Sequence, residues 1–228
     1  MRTSSAPVRE MKFRLNATQA ASIRVWAQRE LSPDPLAQLD ADECYRTSSL
    51  YFDTPEFDVL RRRGSYGRSK YRVRRYGAAT ELFLERKLKH QGIVRKWRTA
   101  VPSEALSALA EGESAWFGRR LHARALRPVC EISYRRLARV GACEQGQPIR
   151  LTLDDQLRAV RVDRLAFAAP GEANPLSQIQ AVLELKYRSE IPAVFARLMA
   201  EFRLVPNSVS KYRTAAVALG YGAQLTHA

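Results

Sequence analysis

Residues 69–89, SKYRVRRYGAATELFLERKLK, contain two alternating runs on either side of a short turn-forming segment. Successive side chains of a β-strand point to opposite faces, so alternate residues share a face. Arg72 and Arg74 therefore lie on one face of the first run. Glu85 and Lys87 share a face of the second run, while its leucines point the other way. The pattern predicts a β-hairpin in a sheet with one apolar face and one strongly charged face.

The same alternation recurs along most of the chain. It predicts strands at residues 8–15, 44–54, 68–76, 80–89, 92–101, 129–139, 148–155, 158–164 and 179–188. Helices are predicted after an N-cap at Asn16, at 55–63, 103–125 and 191–203, and in a short piece near the C-terminus. Hairpins at this even spacing predict an α+β fold, a closed eight-stranded antiparallel β-barrel with helices packed outside. We expect a single domain over residues 8–220, with tails at 1–7 and 221–228.

The charge balance of the chain is unusual. Its 228 residues include 38 Lys and Arg against 23 Asp and Glu, a formal net charge of +15. Such an excess indicates an anionic partner: nucleic acid, an acidic membrane surface or a polyphosphorylated ligand. The charged fraction of 27% and the hydrophobic fraction of 46% are ordinary for a globular protein. A disordered polyelectrolyte is therefore excluded.

Other classes of protein are disfavoured by what the sequence lacks. The cysteines, Cys44, Cys130 and Cys143, are odd in number and have no Cys-x-x-Cys spacing, which argues against a disulfide framework or a thiolate zinc site. The three histidines are scattered and suggest no catalytic pair. No apolar run approaches the roughly 18–20 residues of a membrane span, and the first thirty residues do not resemble a signal peptide. These observations predict a soluble cytoplasmic protein with no membrane segment.

The polar faces of the strands are rich in arginine and carry isolated carboxylates. Arginine presents a planar fork of donors that suits phosphate oxygens and keeps its charge. Bases from successive strands would repel each other unless a polyanion lay between them. A closed barrel with a wet, cationic interior and apolar outer faces under the helices meets both conditions, although a sheet with its polar face in water remains the simpler alternative. Within this interior, Asp154 is a candidate either for the shell of a metal ion or for an ion pair with Arg150, and the pairing is favoured.

The motifs EMKF, SLYFDT, YRVRRY, LERK, VRKWR, SYRR, IRLTLDD, LELKY and SKYR occur in this order over about residues 8–215. Together they resemble the triphosphate tunnel metalloenzymes, and more narrowly the polyphosphate polymerase domain of the vacuolar transporter chaperone (VTC) complex and its stand-alone bacterial relatives. The resemblance implies an eight-stranded tunnel that binds an ATP-derived triphosphate through Lys and Arg. It also implies a divalent metal, Mn²⁺ or Mg²⁺, held by glutamate.

The resemblance assigns roles to particular residues. Those implied to act on the transferred phosphates are Lys12, Arg72, Arg74, Lys87, Arg136 and Arg150. Six further residues are expected to contact the substrate phosphates, some by the resemblance and some because they share a strand face with the residues above. They are Lys96, Arg98, Tyr134, Lys186, Ser208 and Lys211. The implied metal ligand is Glu184, with Glu10 and Glu85 as weaker candidates on the same faces.

Two departures from the family pattern affect the expected activity. The wider superfamily begins with Glu-x-Glu-x-Lys, whereas Val8 stands here in place of the first acid and only Glu10 remains. The loss thins the carboxylate cluster that hydrolytic members use, which favours a polymerase over a triphosphatase. Ser208 stands where the eukaryotic polymerases carry another lysine, which predicts a weaker grip on a long chain.

The predicted activity is ATP-dependent synthesis of inorganic polyphosphate with release of ADP. The alternatives are an inorganic triphosphatase, with Glu85 or Glu10 as the base, and a non-catalytic binder of polyphosphate or nucleic acid. No base-stacking or helix-turn-helix motif supports nucleic acid as the partner. The arginine clusters at residues 61–63 and 119–120 are interpreted as solvated helix faces. The sequence does not indicate an oligomeric state.

Overall fold

The computed structural model describes residues 3–4, 8–35, 42–90, 93–109 and 111–221. Eight long strands form the framework of the protein. They are β1 Val8–Leu15, β2 Cys44–Asp53, β3 Ser69–Tyr76, β4 Glu81–His90, β5 Ile93–Pro102, β6 Arg127–Ala142, β7 Pro148–Arg161 and β8 Ala181–Tyr187. Two-residue strands at Thr3–Ser4, Ser32–Pro33 and Asn174–Pro175 lie beside them.

The eight strands close into a ring. Its order is β1, β5, β4, β3, β2, β6, β7 and β8, and every neighbouring pair is antiparallel. Closure depends on the pairing of β8 with both β7 and β1, and on a short pairing of β1 with β5 at Val8 and Val94. The predicted closed antiparallel barrel is therefore confirmed.

In the described part of the chain, five α-helices pack around the ring. They are α1 Ala17–Glu30, α2 Asp58–Arg61, α3 Ala115–Ala123, α4 Ala193–Glu201 and α5 Lys211–Ala218. The predicted cap of α1 is present as a capping box, in which the Asn16 side chain accepts from the backbone N–H of Gln19 and the Gln19 side chain accepts from the backbone N–H of Asn16. The reciprocal pair satisfies two backbone donors that the helix leaves without an intrahelical partner.

The apolar faces of the strands point outward and are covered by the helices. Leu183 and Leu185 of β8 are fully buried against α1 and α4, in a cluster that includes Ile23 and Phe195. A second cluster joins Phe117 of α3 to the outer faces of β3 and β4. Each leucine or phenylalanine buried in this way stabilises the fold by about 1.5–3 kcal/mol. Apolar packing outside the ring leaves its interior to the polar faces.

Three sequence boundaries were wrong. The predicted helix over 103–125 is broken into 3₁₀ turns at Ser103–Ala108 and Gly112–Ser114 before α3, because Gly112 has a φ of +53° that an α-helix does not accept. The two strands predicted at 148–155 and 158–164 are one strand, β7, in which Gln156 takes a left-handed φ of +50° without ending the pairing. The helix predicted at 55–63 is only the single turn α2.

The predicted turn between β3 and β4 is confirmed, with Gly77 at a φ of +52° that favours glycine. The glycine turn predicted at residue 92 and the tail residues 222–228 lie outside the described residues.

Candidate active site

The strand register brings the charged faces together inside the ring. Glu184 lies opposite Lys12, Lys186 opposite both Glu10 and Arg150, and Asp154 opposite Arg136. On the far wall Glu85 lies between Arg72 and Arg98. The ends of these side chains keep some contact with solvent: the exposed fraction is 22% for Lys12 and 27% for Lys96. The interior is lined by charged side chains, some of them partly exposed to solvent, and among the described residues its bases clearly outnumber its carboxylates.

One group of interior residues, which we call the arginine cluster, is held by two-point contacts. Its members are Arg72, Arg74, Glu85, Tyr134, Arg136 and Asp154. Arg72 Nε donates to Glu85 Oε2 at 2.6 Å, and Arg72 Nη1 donates to the Tyr51 hydroxyl at 3.2 Å. Lys96 also forms an ion pair with Glu85. These cations, chiefly Arg72 and Lys96, hold the pKa of Glu85 well below its usual range although burial acts in the opposite direction.

The Tyr134 hydroxyl joins the two halves of the arginine cluster. It accepts from Arg74 Nη2 at 2.9 Å and from Arg136 Nη2 at 3.3 Å. Arg136 in turn grips Asp154 with both Nε, at 2.5 Å, and Nη2, at 2.7 Å. The expected pairing of Asp154 with Arg150 is wrong, because the strand register places Arg136 directly opposite Asp154, while Arg150 lies four residues before Asp154 on β7 and opposite Val140. Two-point contacts fix the arginine planes in position.

A second group, the lysine cluster, surrounds Glu10 and Glu184 with Lys12, Lys87 and Lys186. Lys12 Nζ lies 2.8 Å from Glu184 Oε1 and 3.6 Å from Glu10 Oε1. Lys87 Nζ lies 2.6 Å from Glu10 Oε2, and Lys186 Nζ lies 3.0 Å from Glu184 Oε2. The pKa of Glu184 is held well below its usual range by Lys12, Lys211 and other lysines, against the effect of burial.

Lys211 links the two clusters from helix α5. Its Nζ lies 2.6 Å from Asp154 Oδ2 and 3.1 Å from Glu184 Oε1, and it is buried. The adjacent Tyr212 anchors the helix, since its ring stacks on Tyr51 and its hydroxyl donates to Asp53 at 2.5 Å. A lysine held this way acts as a fixed cation between two carboxylates.

Four interior lysines, Lys70, Lys87, Lys96 and Lys186, have lowered pKa values, and burial is the main cause for Lys186 as well. Burial, reinforced by Lys12 and Lys87, lowers the pKa of Lys70 to about 7. Burial also lowers the pKa of Lys87 to about 8 and that of Lys96 to about 8, partly offset by their glutamate partners. An anion bound among these lysines would restore their protonation, because a nearby negative charge favours the cationic form.

Arg150 lies at the rim of the interior rather than in either cluster. Its Nη2 lies 2.6 Å from Asp34 Oδ2 and donates to the Tyr45 hydroxyl at 3.4 Å. Asp34 follows α1 and is buried. Arg150 is thus paired with a carboxylate that comes from outside the ring strands.

The donor set around Glu10 and Glu184 fits a hard divalent cation. Both residues offer carboxylate oxygens, the ligands that Mg²⁺ and Mn²⁺ prefer, and Glu10 Oε1 is buried without a hydrogen bond. Within the described part of the chain no three Asp, Glu, His or Cys residues gather closely enough to hold a metal by themselves. Phosphate oxygens of a substrate would have to supply the remaining ligands. Glu85 lies apart, within the arginine cluster.

Most residues singled out in the sequence reach the interior, and several unpredicted ones join them. Lys70 donates to the Ser210 hydroxyl at 2.8 Å, whereas Ser208 is exposed in the loop before α5. Tyr76 also faces inward; Arg74, Lys96 and Arg98 outweigh burial and lower its pKa to about 7. Lys70 and Tyr76 each lie two residues from a predicted arginine on the same face of β3, and that spacing could have identified them.

A ring of eight strands with a basic interior is the fold expected of the triphosphate tunnel proteins, and several solved structures share the fold of this chain. A Bacillus halodurans protein named as a candidate adenylate cyclase superimposes with a TM-score of 0.57 at 14% identity, covering 91% of this chain and 95% of that one. A Hippeastrum protein of the same description, for which a dominant triphosphatase activity is stated, gives 0.54 at 12% identity, covering 95% and 96%. The PH1819 protein of Pyrococcus horikoshii gives 0.52 at 12%, covering 92% and 98%.

The family within this class is given by the sequence. The VTC domain model matches residues 8–219, so the chain belongs to the VTC domain family. No protein of curated function matches the sequence. Across the described residues, no helix has the length and apolar character needed to cross a bilayer.

Proposed function

We propose that the protein synthesises inorganic polyphosphate from ATP inside the ring. The observation that supports this proposal best is a basic, partly solvent-exposed interior whose described carboxylates, Glu10, Glu85, Asp154 and Glu184, are all held in ion pairs. Phosphoryl transfer demands positioning and charge neutralisation more than covalent participation by the protein. The arginine cluster supplies fixed donors for phosphate oxygens, and the lysine cluster supplies point charges around two carboxylates.

The acceptor in this reaction needs no general base. A terminal phosphate oxygen of the growing chain attacks the γ-phosphorus of ATP, the bond from that phosphorus to the β-bridging oxygen breaks, and ADP leaves. A terminal phosphate is already ionised near neutral pH, since its second pKa is about 6. The protein has only to align the two phosphate chains and neutralise their repulsion, and its fixed arginines and lysines suit both tasks.

The low pKa values of the interior carboxylates favour transfer of the phosphoryl group to a phosphate over its transfer to water. Hydrolysis would need a carboxylate able to accept a proton, and an efficient base has a pKa near the working pH. The pKa of Glu85 and that of Glu184 are held well below the usual range, and that of Asp154 is lowered to about 2, mainly by Arg136 and Lys211 acting against burial. The pKa of Glu10 is also lowered. These interior carboxylates are poor bases while their cations remain in place.

Glu184, with Glu10, would hold the divalent metal. When bound, such an ion neutralises charge on bridging phosphate oxygens and fixes their orientation. The lysines that now neutralise both glutamates would then turn to the substrate phosphates. Arg74 and Arg136, bridged by Tyr134, would fix the phosphate chain on the opposite wall.

An inorganic triphosphatase is the second candidate function. It is favoured by the fold shared with the Hippeastrum protein that has dominant triphosphatase activity. In that case Glu10, whose Oε1 is buried without a hydrogen bond, is the best placed carboxylate to orient water. Tripolyphosphate would be the simplest substrate.

The two activities separate in one assay. Purified protein is incubated with ATP and Mn²⁺ or Mg²⁺, and the products are resolved on a polyphosphate gel alongside measurements of ADP and free phosphate. A ladder of chains with matching ADP, lost in Arg74→Ala and Glu184→Ala, supports the polymerase. Free phosphate without a ladder, especially from tripolyphosphate, supports the triphosphatase. Tight polyphosphate binding with no turnover would contradict both activities.

A further inference from the structure

A pair of adjoining depressions lies on the outer wall of the ring, between strands β3–β5 and helix α3. The larger has a volume of about 510 Å³ and is lined by Arg86, Trp97, Trp116, Arg119, Arg120 and Ala123. The smaller, of about 250 Å³, is lined by Ser65, Arg68, Ser69, Arg86, Leu88 and Arg124. Arg86 lines both depressions, which are together called the outer groove. No carboxylate is among these lining residues.

The arginines of the outer groove differ in how they are held. Arg86 Nε donates to the Ser69 hydroxyl at 3.3 Å, and its guanidinium lies 5.0 Å from the Trp97 ring centroid. Arg124 donates to the Ser65 hydroxyl at 2.7 Å and lies 4.1 Å from the Tyr66 ring centroid. Neutral hydroxyls and rings orient these two side chains without cancelling their charge. Their guanidinium groups therefore remain available to an anion.

Arg119 and Arg120 extend the groove along α3. Both are exposed and, within the described residues, neither forms an ion pair. The sequence suggested a solvated helix face for this pair. Both side chains are exposed on α3, as that interpretation expects, and they also line a concave surface together with Arg86. Like charges brought together in a concavity raise the local concentration of anions.

The indole rings of the groove are already engaged. One face of Trp97 carries the Arg86 guanidinium, and Trp116 Nε1 donates to the Thr99 hydroxyl at 2.9 Å with its ring packed edge-on against Phe117. A groove that reads nucleic acid presents aromatic faces on which bases stack. Here Trp97 positions Arg86, and Trp116 is held by Thr99 and Phe117, which suits a chain of phosphates rather than a chain of bases.

The outer groove lies directly behind the wall of the candidate active site. Ser69 and Arg86 face the groove, while the next residues along the chain, Lys70 and Lys87, face the interior. Ser69 is also the first residue of β3. A long polyanion that occupies the interior is therefore within reach of the groove around the end of β3.

We propose that the outer groove is a second binding site for long-chain inorganic polyphosphate, which holds the part of the chain outside the ring. The choice of ligand rests on the proposed function. The groove binds phosphate oxygens through arginine forks, and a chain long enough to occupy interior and groove together binds more tightly than one confined to the interior, since the second contact is intramolecular.

The test compares polyphosphate of long chain length with tripolyphosphate, which is too short to reach both sites. The affinity of the full-length protein for each ligand is measured by calorimetry at one fixed salt concentration. For the double variant Arg119→Ala with Arg120→Ala, we expect roughly tenfold weaker binding of the long chain, about 1.4 kcal/mol. Tripolyphosphate binding is expected to be unchanged. The control, Arg46→Ala with Arg188→Ala, removes the same charge from two exposed arginines that do not line the groove.

A second variant separates fork geometry from net charge. Arg119→Lys with Arg120→Lys keeps both charges, and we expect it to recover only part of the lost affinity because lysine cannot bind bidentately. Equal long-chain affinities in the alanine variant and its control would overturn the proposal. So would loss of single-stranded RNA binding with unchanged polyphosphate binding, which would assign the groove to nucleic acid. If the alanine variant binds long-chain polyphosphate more weakly but the protein makes no polyphosphate, the groove proposal is supported and the proposed activity is contradicted.

Discussion

The lysine cluster and the arginine cluster lie in the same ring but hold their carboxylates differently. In the arginine cluster, Arg136 contacts both oxygens of Asp154 and is buried with it. In the lysine cluster, Lys12, Lys87 and Lys186 are each about a quarter exposed and neutralise Glu10 and Glu184 through single ammonium contacts, to which the buried Lys211 adds one on Glu184. A planar fork is fixed by its geometry, whereas an ammonium on a flexible stem can move to another anion. The difference assigns positioning to the arginine cluster and exchange of partners to the lysine cluster.

The largest effect is expected from neutralising the carboxylate of the lysine cluster. Glu184→Gln should lower kcat by roughly 10²–10³-fold, the usual range for loss of one electrostatic group at a reacting centre. The variant should also lose most of its dependence on metal concentration, because Glu184 is the central ligand candidate. Metal titrations of initial rate provide the measurement.

Glu85→Gln is the matched control, since Glu85 is a buried interior glutamate of the arginine cluster. This variant should keep the metal dependence even where its rate falls. An unchanged metal response in Glu184→Gln, or loss of that response in Glu85→Gln alone, would reverse the roles of the two clusters.

The next effect concerns stability. Arg136→Lys should lower the free energy of unfolding by about 1.5–3 kcal/mol, because it removes one of two charge-assisted hydrogen bonds in a buried pair. Thermal unfolding of the protein without ligand measures the change. Lys186→Arg in the lysine cluster should cost less than about 1 kcal/mol, as expected of a pair with solvent access. Equal losses in the two variants would remove the distinction between fixed and exchangeable contacts.

The pH dependence should reveal the lysines with lowered pKa values. Lys70, Lys87 and Lys96 lose their positive charge as the pH rises through about 7–8, so affinity for tripolyphosphate should fall as the pH rises from 7 to 9. Binding near pH 8 should take up protons, which calorimetry in buffers of different ionisation enthalpy detects.

The stability of the ligand-free protein should change in the opposite direction. The folded pKa values of these lysines lie below the unfolded value of 10.5, so between about pH 7 and 10 the unfolded chain binds more protons. Their contribution then makes the folded state more stable as the pH rises. Lys70→Met should reduce both trends. Proton release on binding near pH 8 would contradict the assignment.

The smallest effect is expected at the rim. Asp34 competes with any anion for Arg150 through the 2.6 Å ion pair. Asp34→Asn should therefore strengthen tripolyphosphate binding a few-fold, by less than about 1 kcal/mol. Fluorescence or calorimetric titration gives the affinity, and Asp155→Asn, on the opposite face of β7 and paired with Arg24, serves as the control. Weaker binding in Asp34→Asn would show that Asp34 orients Arg150 instead of competing for it.

The sequence allowed the ring and much of its lining to be predicted, for physical reasons. Alternation with period two assigns each strand residue to a face, so Arg72, Arg74 and Glu85 could be placed on one wall without a structure. Which residues pair across neighbouring strands was harder to predict from the sequence. Register depends on turn lengths and on the left-handed residue Gln156, and for that reason the partner of Asp154 was mistaken.

Contributions from outside the strands were the least predictable. Asp34 reaches Arg150 from the segment after α1, and Ser210 reaches Lys70 from the segment before α5. Neither contact leaves a periodic signal, since each depends on how a helix docks against the ring. The outer groove was equally unpredictable from the sequence, because it forms only where α3 docks against the sheet in the folded protein.

The most direct measurement follows the phosphorus atoms themselves. Purified protein with ATP and Mn²⁺, monitored by ³¹P NMR after removal of the metal, should show a growing signal of internal chain phosphates with ADP in equal amount to the phosphates added. The orthophosphate signal should stay low. The Glu184→Gln variant should produce neither internal chain phosphates nor ADP. Accumulation of orthophosphate from ATP or tripolyphosphate, without internal chain phosphates, would contradict transfer to a phosphate acceptor and assign the ring to hydrolysis.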